Sequence, residues 1–148
     1  MKHLLALDLG KGSLGLALSR SGMFVTPLEE ARFPAGDYSY AYEAIAKVLE
    51  EETVETFVLG LPLFPSGDDC EMTPIVRKFG KTLQEKYPSI ALVYQDERNS
   101  TVEAAAMLHE VGQNAKKQRK RIDSAAAMVI LERYLQSQET YEDLDDEI

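Results

Sequence analysis

A chain of 148 residues, 45% of them hydrophobic, has enough apolar side chain to build one domain core and is not a disordered polymer. One cysteine, Cys70, excludes a disulfide-built scaffold, and no apolar run reaches membrane-span length. A formal net charge of −9, taken as a total, argues against a polyanion such as nucleic acid as partner.

The elements follow from apolar spacing and from the breakers between them. Leu4–Leu7 is an apolar run closed by Asp8. Gly10, Gly12 and Gly15 then lead into Leu16–Ser19, which predicts two strands around a glycine-rich turn. A third strand is expected between Met23 and Phe33, with Pro27 marking an irregular edge. Asp37 is the expected N-cap of a helix over 38–51 with the stripe Ala41, Tyr42, Ile45, Val48 and Leu49. Val54–Leu61 predicts strand four, bounded by Pro62. Beyond the polar loop 65–70, Thr73 as N-cap and Pro74 at the first helical position predict helix two, striped by Val76, Phe79, Gly80 and Leu83. Ile90–Tyr94 predicts strand five. Ser100 and Glu103 form a capping box for helix three, which Gly112 stops. Helix four, over 123–136, carries Ala127, Ile130, Leu131, Tyr134 and Leu135 on one face. The order βββ-α-β-α-β-α-α predicts an antiparallel meander continued by parallel strands, a mixed α/β sheet covered by helices. The domain is expected over 1–138, followed by a disordered acidic tail over 139–148.

The charge is unevenly placed. The last ten residues hold six acids and no base; without them 16 bases face 19 acids, a net of −3. Lys116, Lys117, Arg119, Lys120 and Arg121 put five bases into six positions. The total of −9 therefore does not describe the local surfaces. The N-terminal apolar stretch is far shorter than a signal peptide's, so a cytoplasmic location is expected.

Acids stand at three informative points. Asp8 closes an apolar strand, Asp96 and Glu97 follow another, and Asp123 opens the last helix on its apolar side. Open α/β sheets place chemistry at the carboxyl ends of their strands. With strand four between strands one and five, the outer two backbones are about 10 Å apart, and the longer Glu97 arm reaches across. Clustered carboxylates call for a divalent ion, and hard oxygen ligands favour Mg²⁺ or Mn²⁺. Two such ions would serve phosphodiester hydrolysis. Each acid also fits a plainer role: Asp8 a turn residue, Asp96 and Glu97 a solvated loop, Asp123 a helix N-cap. Periodicity does not separate these.

Four segments, in order, resemble the YqgF/RuvX family of small RNase H-like proteins, described as pre-16S rRNA nucleases and Holliday junction resolvase-like proteins. They are Leu5-Ala-Leu-Asp-Leu-Gly with Leu14-Gly-Leu-Ala; Phe57-Val-Leu-Gly-Leu-Pro-Leu63 with Ser66-Gly67; Asp96-Glu-Arg-Asn-Ser-Thr101; and Ile122-Asp-Ser-Ala-Ala-Ala-Met-Val-Ile-Leu131. The resemblance implies an RNase H-like fold, a five-stranded mixed sheet of order 3-2-1-4-5 with helices on both faces. It implies a two-metal Mg²⁺ or Mn²⁺ site held by Asp8, Glu97 and Asp123, which are the expected catalytic acids. Asp96 is a weaker candidate beside them. Gly10 belongs to the same motif, and Gly60 and Pro62 are expected to let a backbone approach the site. Arg98 is placed to hold a phosphate or to pair with an acid.

One departure stands out. The family's Thr-Lys-Arg after Asp-x-Gly is here Lys11-Gly12-Ser13, leaving Lys11 as the single base. The strip Lys116–Arg121 beside Asp123 is expected to hold a phosphate backbone in a salt-dependent way, its plainer alternative being a solvated loop. The expected activity is metal-dependent hydrolysis of structured nucleic acid, pre-16S rRNA processing ahead of junction resolution. Pre-rRNA, branched DNA and ribosomal particles are the expected partners, no membrane is, and the chain is expected as a monomer or homodimer. A relative of the sugar kinases or actin-like ATPases, and a non-catalytic RNA-binding module on the same fold, are the competing readings.

Overall fold

The computed structural model describes residues 3–97 and 125–138. One sheet organises them. Strands β1 (Leu4–Leu9), β2 (Ser13–Ser19), β3 (Thr26–Pro27), β4 (Ala31–Arg32), β5 (Thr56–Leu61) and β6 (Ala91–Asp96) form it, with helices α1 (Ser39–Glu51), α2 (Met72–Lys86) and α3 (residues 125–138). The strand order is β3-β2-β1-β5-β6, and β4 also pairs with β2. β1 and β2 are antiparallel, while β1–β5 and β5–β6 are parallel. This is the mixed α/β, RNase H-like class that the sequence predicts. Its third strand differs: instead of one strand in 23–33 there are two of two residues each, both on β2. Pro27 has no N–H to give a ladder, which keeps this edge short.

The helices cover both faces. Leu5, Leu7 and Leu9 of β1 point with Phe57 and Leu59 of β5 toward Ile45 of α1 and Val76, Phe79 and Leu83 of α2. The alternate positions Leu4, Ala6 and Val58 pack against Ala127, Ile130 and Leu131 of α3. β1 and β5 are thus buried on both faces, which is why Leu-Leu-Ala-Leu and Phe-Val-Leu are continuous apolar runs rather than alternating ones. Tyr38 and Tyr42 join the first of these clusters, and Tyr42 stacks on Phe79 at 4.6 Å between ring centroids.

Two expected caps are replaced. Asp37 is not the N-cap of α1; Tyr38 is, without a side-chain bond, while Asp37 accepts a hydrogen bond from Ser39. α2 begins at Met72, so Thr73 lies inside its first turn. There its fully buried hydroxyl donates to the Pro62 carbonyl at 2.6 Å and accepts from the Cys70 N–H at 2.8 Å. The helix expected from Ser100 to Gly112 and the acidic tail lie outside the described residues. Among the described residues no helix is long and apolar enough to cross a membrane.

Candidate active site

Two positions interrupt the apolar runs of the central strands, and both belong to the site. In β1 the pattern of burial breaks at Asp8, which shares the α3 face with Leu4 and Ala6. In β5 the corresponding interruption is Gly60. Leu7 pairs with Leu59 and Gly60 pairs with Gln95, so Asp8 and Gln95 flank Gly60 from its two sides. Glu97 lies two residues past Gln95, on the same face, and its N–H donates to the Leu61 carbonyl at 3.2 Å. The Glu97 side chain then turns back across β5.

The absence of a side chain at Gly60 makes that crossing feasible. A Cβ there would lie 2.7 Å from Glu97 Oε2 and 2.5 Å from Cδ1 of Ile130 on α3. With the space left open, the Glu97 carboxyl meets Asp8 and the two are hydrogen-bonded to each other. Burial first, and then the charge of Asp8, push the Glu97 carboxyl up to about 10. Asp96, one residue earlier and on the other face by alternation, adds a smaller repulsion, as does Cys70. The Asp96 carbonyl accepts a bond from Arg133 of α3 at 3.4 Å, tying the end of β6 to that helix.

These donors fit a hard divalent cation. Two carboxylates forced together retain a proton between them, and a cation bound by both oxygens removes the repulsion that holds it there. Asp123, the third expected ligand, lies outside the described residues, two positions before the first described residue of α3. Among the described residues no group of three His, Cys, Asp or Glu side chains converges to hold a metal.

A family model described as RuvX: Holliday junction resolvase matches residues 2–137. The chain belongs to the RuvX family. A protein of Mesomycoplasma hyopneumoniae strain 7448 named "Putative pre-16S rRNA nuclease" is 37% identical over 134 residues, covering 90% of this chain and 93% of the relative. One of the same name from Lactobacillus acidophilus is 34% identical over 136 residues, covering 90% and 95%. Among solved structures, the RuvC of Thermus thermophilus aligns with a TM-score of 0.46 at 11% identity, covering 89% of this chain and 96% of that one. The description of the RuvX family and the names of these relatives both denote nucleases.

The remaining predicted residues divide. Gly10 forms the β1–β2 turn, its N–H donating to the Ser13 carbonyl at 2.8 Å. Lys11 does not meet the acid pair: its exposed amine is bonded to Glu71 at 2.8 Å, which raises the lysine pKa. Gly12, part of the departure from the family motif, has a structural reason. A Cβ there would sit 3.0 Å from the Phe33 carbonyl, and the Phe33 N–H bonds to the Gly12 carbonyl. Pro62 does not enter the acid pair; it presents its carbonyl to Thr73 and so anchors the loop after β5 to α2. Arg98, Lys116, Lys117, Arg119, Lys120 and Arg121 lie outside the described residues. Cys70 is the residue that sequence reasoning passed over. Its hydrogen bond with Thr73 lowers the thiol pKa, and its charge is felt at Glu97. Nothing in its polar loop announces this, because the contact depends on how α2 docks.

Proposed function

We propose that this protein is a divalent-metal-dependent nuclease that hydrolyses phosphodiester bonds in structured RNA, acting in 5′-end maturation of pre-16S rRNA in the cytoplasm. The observation that carries this reading is the Asp8–Glu97 carboxyl pair, closed over Gly60 at the carboxyl end of the parallel strands. Asp8, Glu97 and Asp123 are the catalytic acids. Asp8, fixed in the central strand, is the rigid member, while Glu97, one residue past the end of β6 and with the longer side chain, is the adjustable one. Two Mg²⁺ or Mn²⁺ ions held there would supply the positive charge that phosphodiester hydrolysis needs at the attacking and leaving oxygens. The carboxylates set where that charge sits, and the burial that raises Glu97 also keeps bulk water from screening it. The relatives' name supports RNA as the substrate. The basic strip Lys116–Arg121 supplies phosphate grip, and Arg98 a further contact.

Asp8→Asn in the full chain is the decisive variant. Removing several kcal/mol of charge stabilisation lowers cleavage of a labelled pre-rRNA fragment in Mn²⁺ by about 10²-fold or more. Wild-type rates in this variant would refute the site. The description of the matched family favours a second substrate, a four-way DNA junction. Parallel assays on the two substrates, each with a duplex control, decide between them. RNA binding without cleavage of either substrate in Mn²⁺ would instead indicate a non-catalytic module.

A further inference from the structure

We propose that Phe64 is a stacking platform for an unpaired nucleobase of the substrate, close to the Asp8–Glu97 pair. This rests on the nuclease reading above. Phe64 begins a tight hairpin after β5. Leu63 bridges to Asp69, the Phe64 N–H donates to the Asp68 carbonyl at 2.9 Å, and the Gly67 N–H donates to the Phe64 carbonyl at 2.8 Å. Gly67 takes a left-handed φ of 94°, which only glycine adopts without strain. Pro65 fixes its own φ, and Ser66 Oγ donates to Asp68 at 3.0 Å. The backbone beneath the Phe64 ring is therefore well ordered by its own bonds.

Phe64 is 52% exposed and, among the described residues, has no aromatic partner. The other exposed large apolar side chains are accounted for differently. Tyr40 stacks on Phe33, and the Tyr94 hydroxyl bonds to the Arg77 carbonyl on the α2 face. Met23 and Phe24 follow Ser19, which pairs with Leu4 at the end of the sheet away from Asp8. Phe64 stands at the acid end. It is three residues past Leu61, whose carbonyl holds the Glu97 N–H. Three residues span at most about 11 Å, about three stacked nucleotides.

A ring presented to water on an ordered turn offers an apolar face that a nucleobase can cover. The hairpin gives no competing phosphate contact, because Asp68 is acidic and Arg77 is already paired with Asp69 at 2.8 Å. Phe64 thus binds a base face a few nucleotides from the scissile phosphate, and it does so without sequence preference.

The test uses the full chain and a single-stranded RNA 12-mer carrying 2-aminopurine, with binding followed by anisotropy and by fluorescence quenching in Ca²⁺. Phe64→Ala is expected to weaken binding about 5- to 150-fold. Phe64→Leu should lose the quenching as well, whereas Phe64→Trp should keep both. An abasic substitution at one position should weaken the wild type and leave Phe64→Ala unchanged. Thermal melts should stay at the wild-type temperature, since the side chain is exposed. If the wild type binds and cleaves RNA but Phe64→Ala binds within twofold of it, the stacking role is wrong and the nuclease reading stands. If the wild type binds no RNA, both fall.

Discussion

The carboxylate of Glu97 occupies the place that a side chain on Gly60 would fill, with Oε2 2.7 Å from the position of that missing Cβ. The glycine is therefore a spacer between two strands' worth of chemistry rather than a turn residue. Gly60→Ala tests this. Both atoms that the methyl would meet, Glu97 Oε2 and Ile130 Cδ1, end flexible side chains, so the fold can yield at a cost of about 1 kcal/mol. The catalytic geometry cannot yield so cheaply: a displacement of about 1 Å is expected to lower kcat about 10²-fold. Urea titration beside single-turnover cleavage separates the two effects.

Glu97 also sets a pH dependence. Its carboxyl titrates near 4.5 when unfolded and near 10 in the folded protein, held up by burial and by Asp8. Below 4.5 the group is protonated in both states and has no effect. Between 4.5 and about 10 the folded state keeps a proton that the unfolded state has lost, so metal-free stability falls as pH rises through that window. A cation that displaces this proton stabilises more at higher pH. Thermal melts in EDTA are expected to decline from pH 6 to pH 9, while the increment from Mn²⁺ grows. Glu97→Gln should flatten the EDTA series and abolish the increment; a pH-independent Mn²⁺ increment in the wild type would count against this pair as ligands.

Much of this was readable from residue order. Leu4–Leu7 and Phe57–Leu59 announce doubly buried strands by their apolar runs, and Asp8 is visible as the residue that ends the first of them. The family motif marked Gly60 as close to the site, yet the expected neighbour was a backbone. The structure places a carboxylate there, because the side chain that crosses is that of Glu97, 37 residues on in sequence and one past the end of β6. Lys11, expected to contact nucleic acid, carries an ion pair that the sequence does not announce. Its partner Glu71 lies 60 residues on, and no local pattern links the two. Thr73 satisfied every local rule for an N-cap, but its hydroxyl found Pro62 and Cys70 instead, once α2 began at Met72. Local chemistry identified the elements, and the long-range pairs had to wait for the sheet.

Thr73 carries a stability prediction of its own. It is fully buried, and its hydroxyl satisfies both the Pro62 carbonyl and the Cys70 N–H. Thr73→Val keeps the volume and strands both backbone groups, so it is expected to destabilise by about 1–3 kcal/mol. Thr73→Ser, which keeps the hydroxyl, should recover most of that loss. Equal urea midpoints for the Val variant and the wild type would show that these bonds contribute nothing net.

The basic strip gives the last prediction, and it concerns salt. Lys116, Lys117, Arg119, Lys120 and Arg121 stand close in sequence to Asp123, in a chain whose net charge is −9. If they neutralise phosphates, each releases condensed counterions, and the logarithm of RNA affinity falls steeply with the logarithm of salt. Replacing all five by Gln should lower that slope by up to about 3.5 on a single strand, because each contact contributes about 0.7. The effect should shrink toward zero at high salt, where the released ions gain little entropy. An unchanged slope with weaker affinity would mean that the strip acts on folding rather than on phosphate. An unchanged slope and affinity together would move the phosphate contacts elsewhere on the protein.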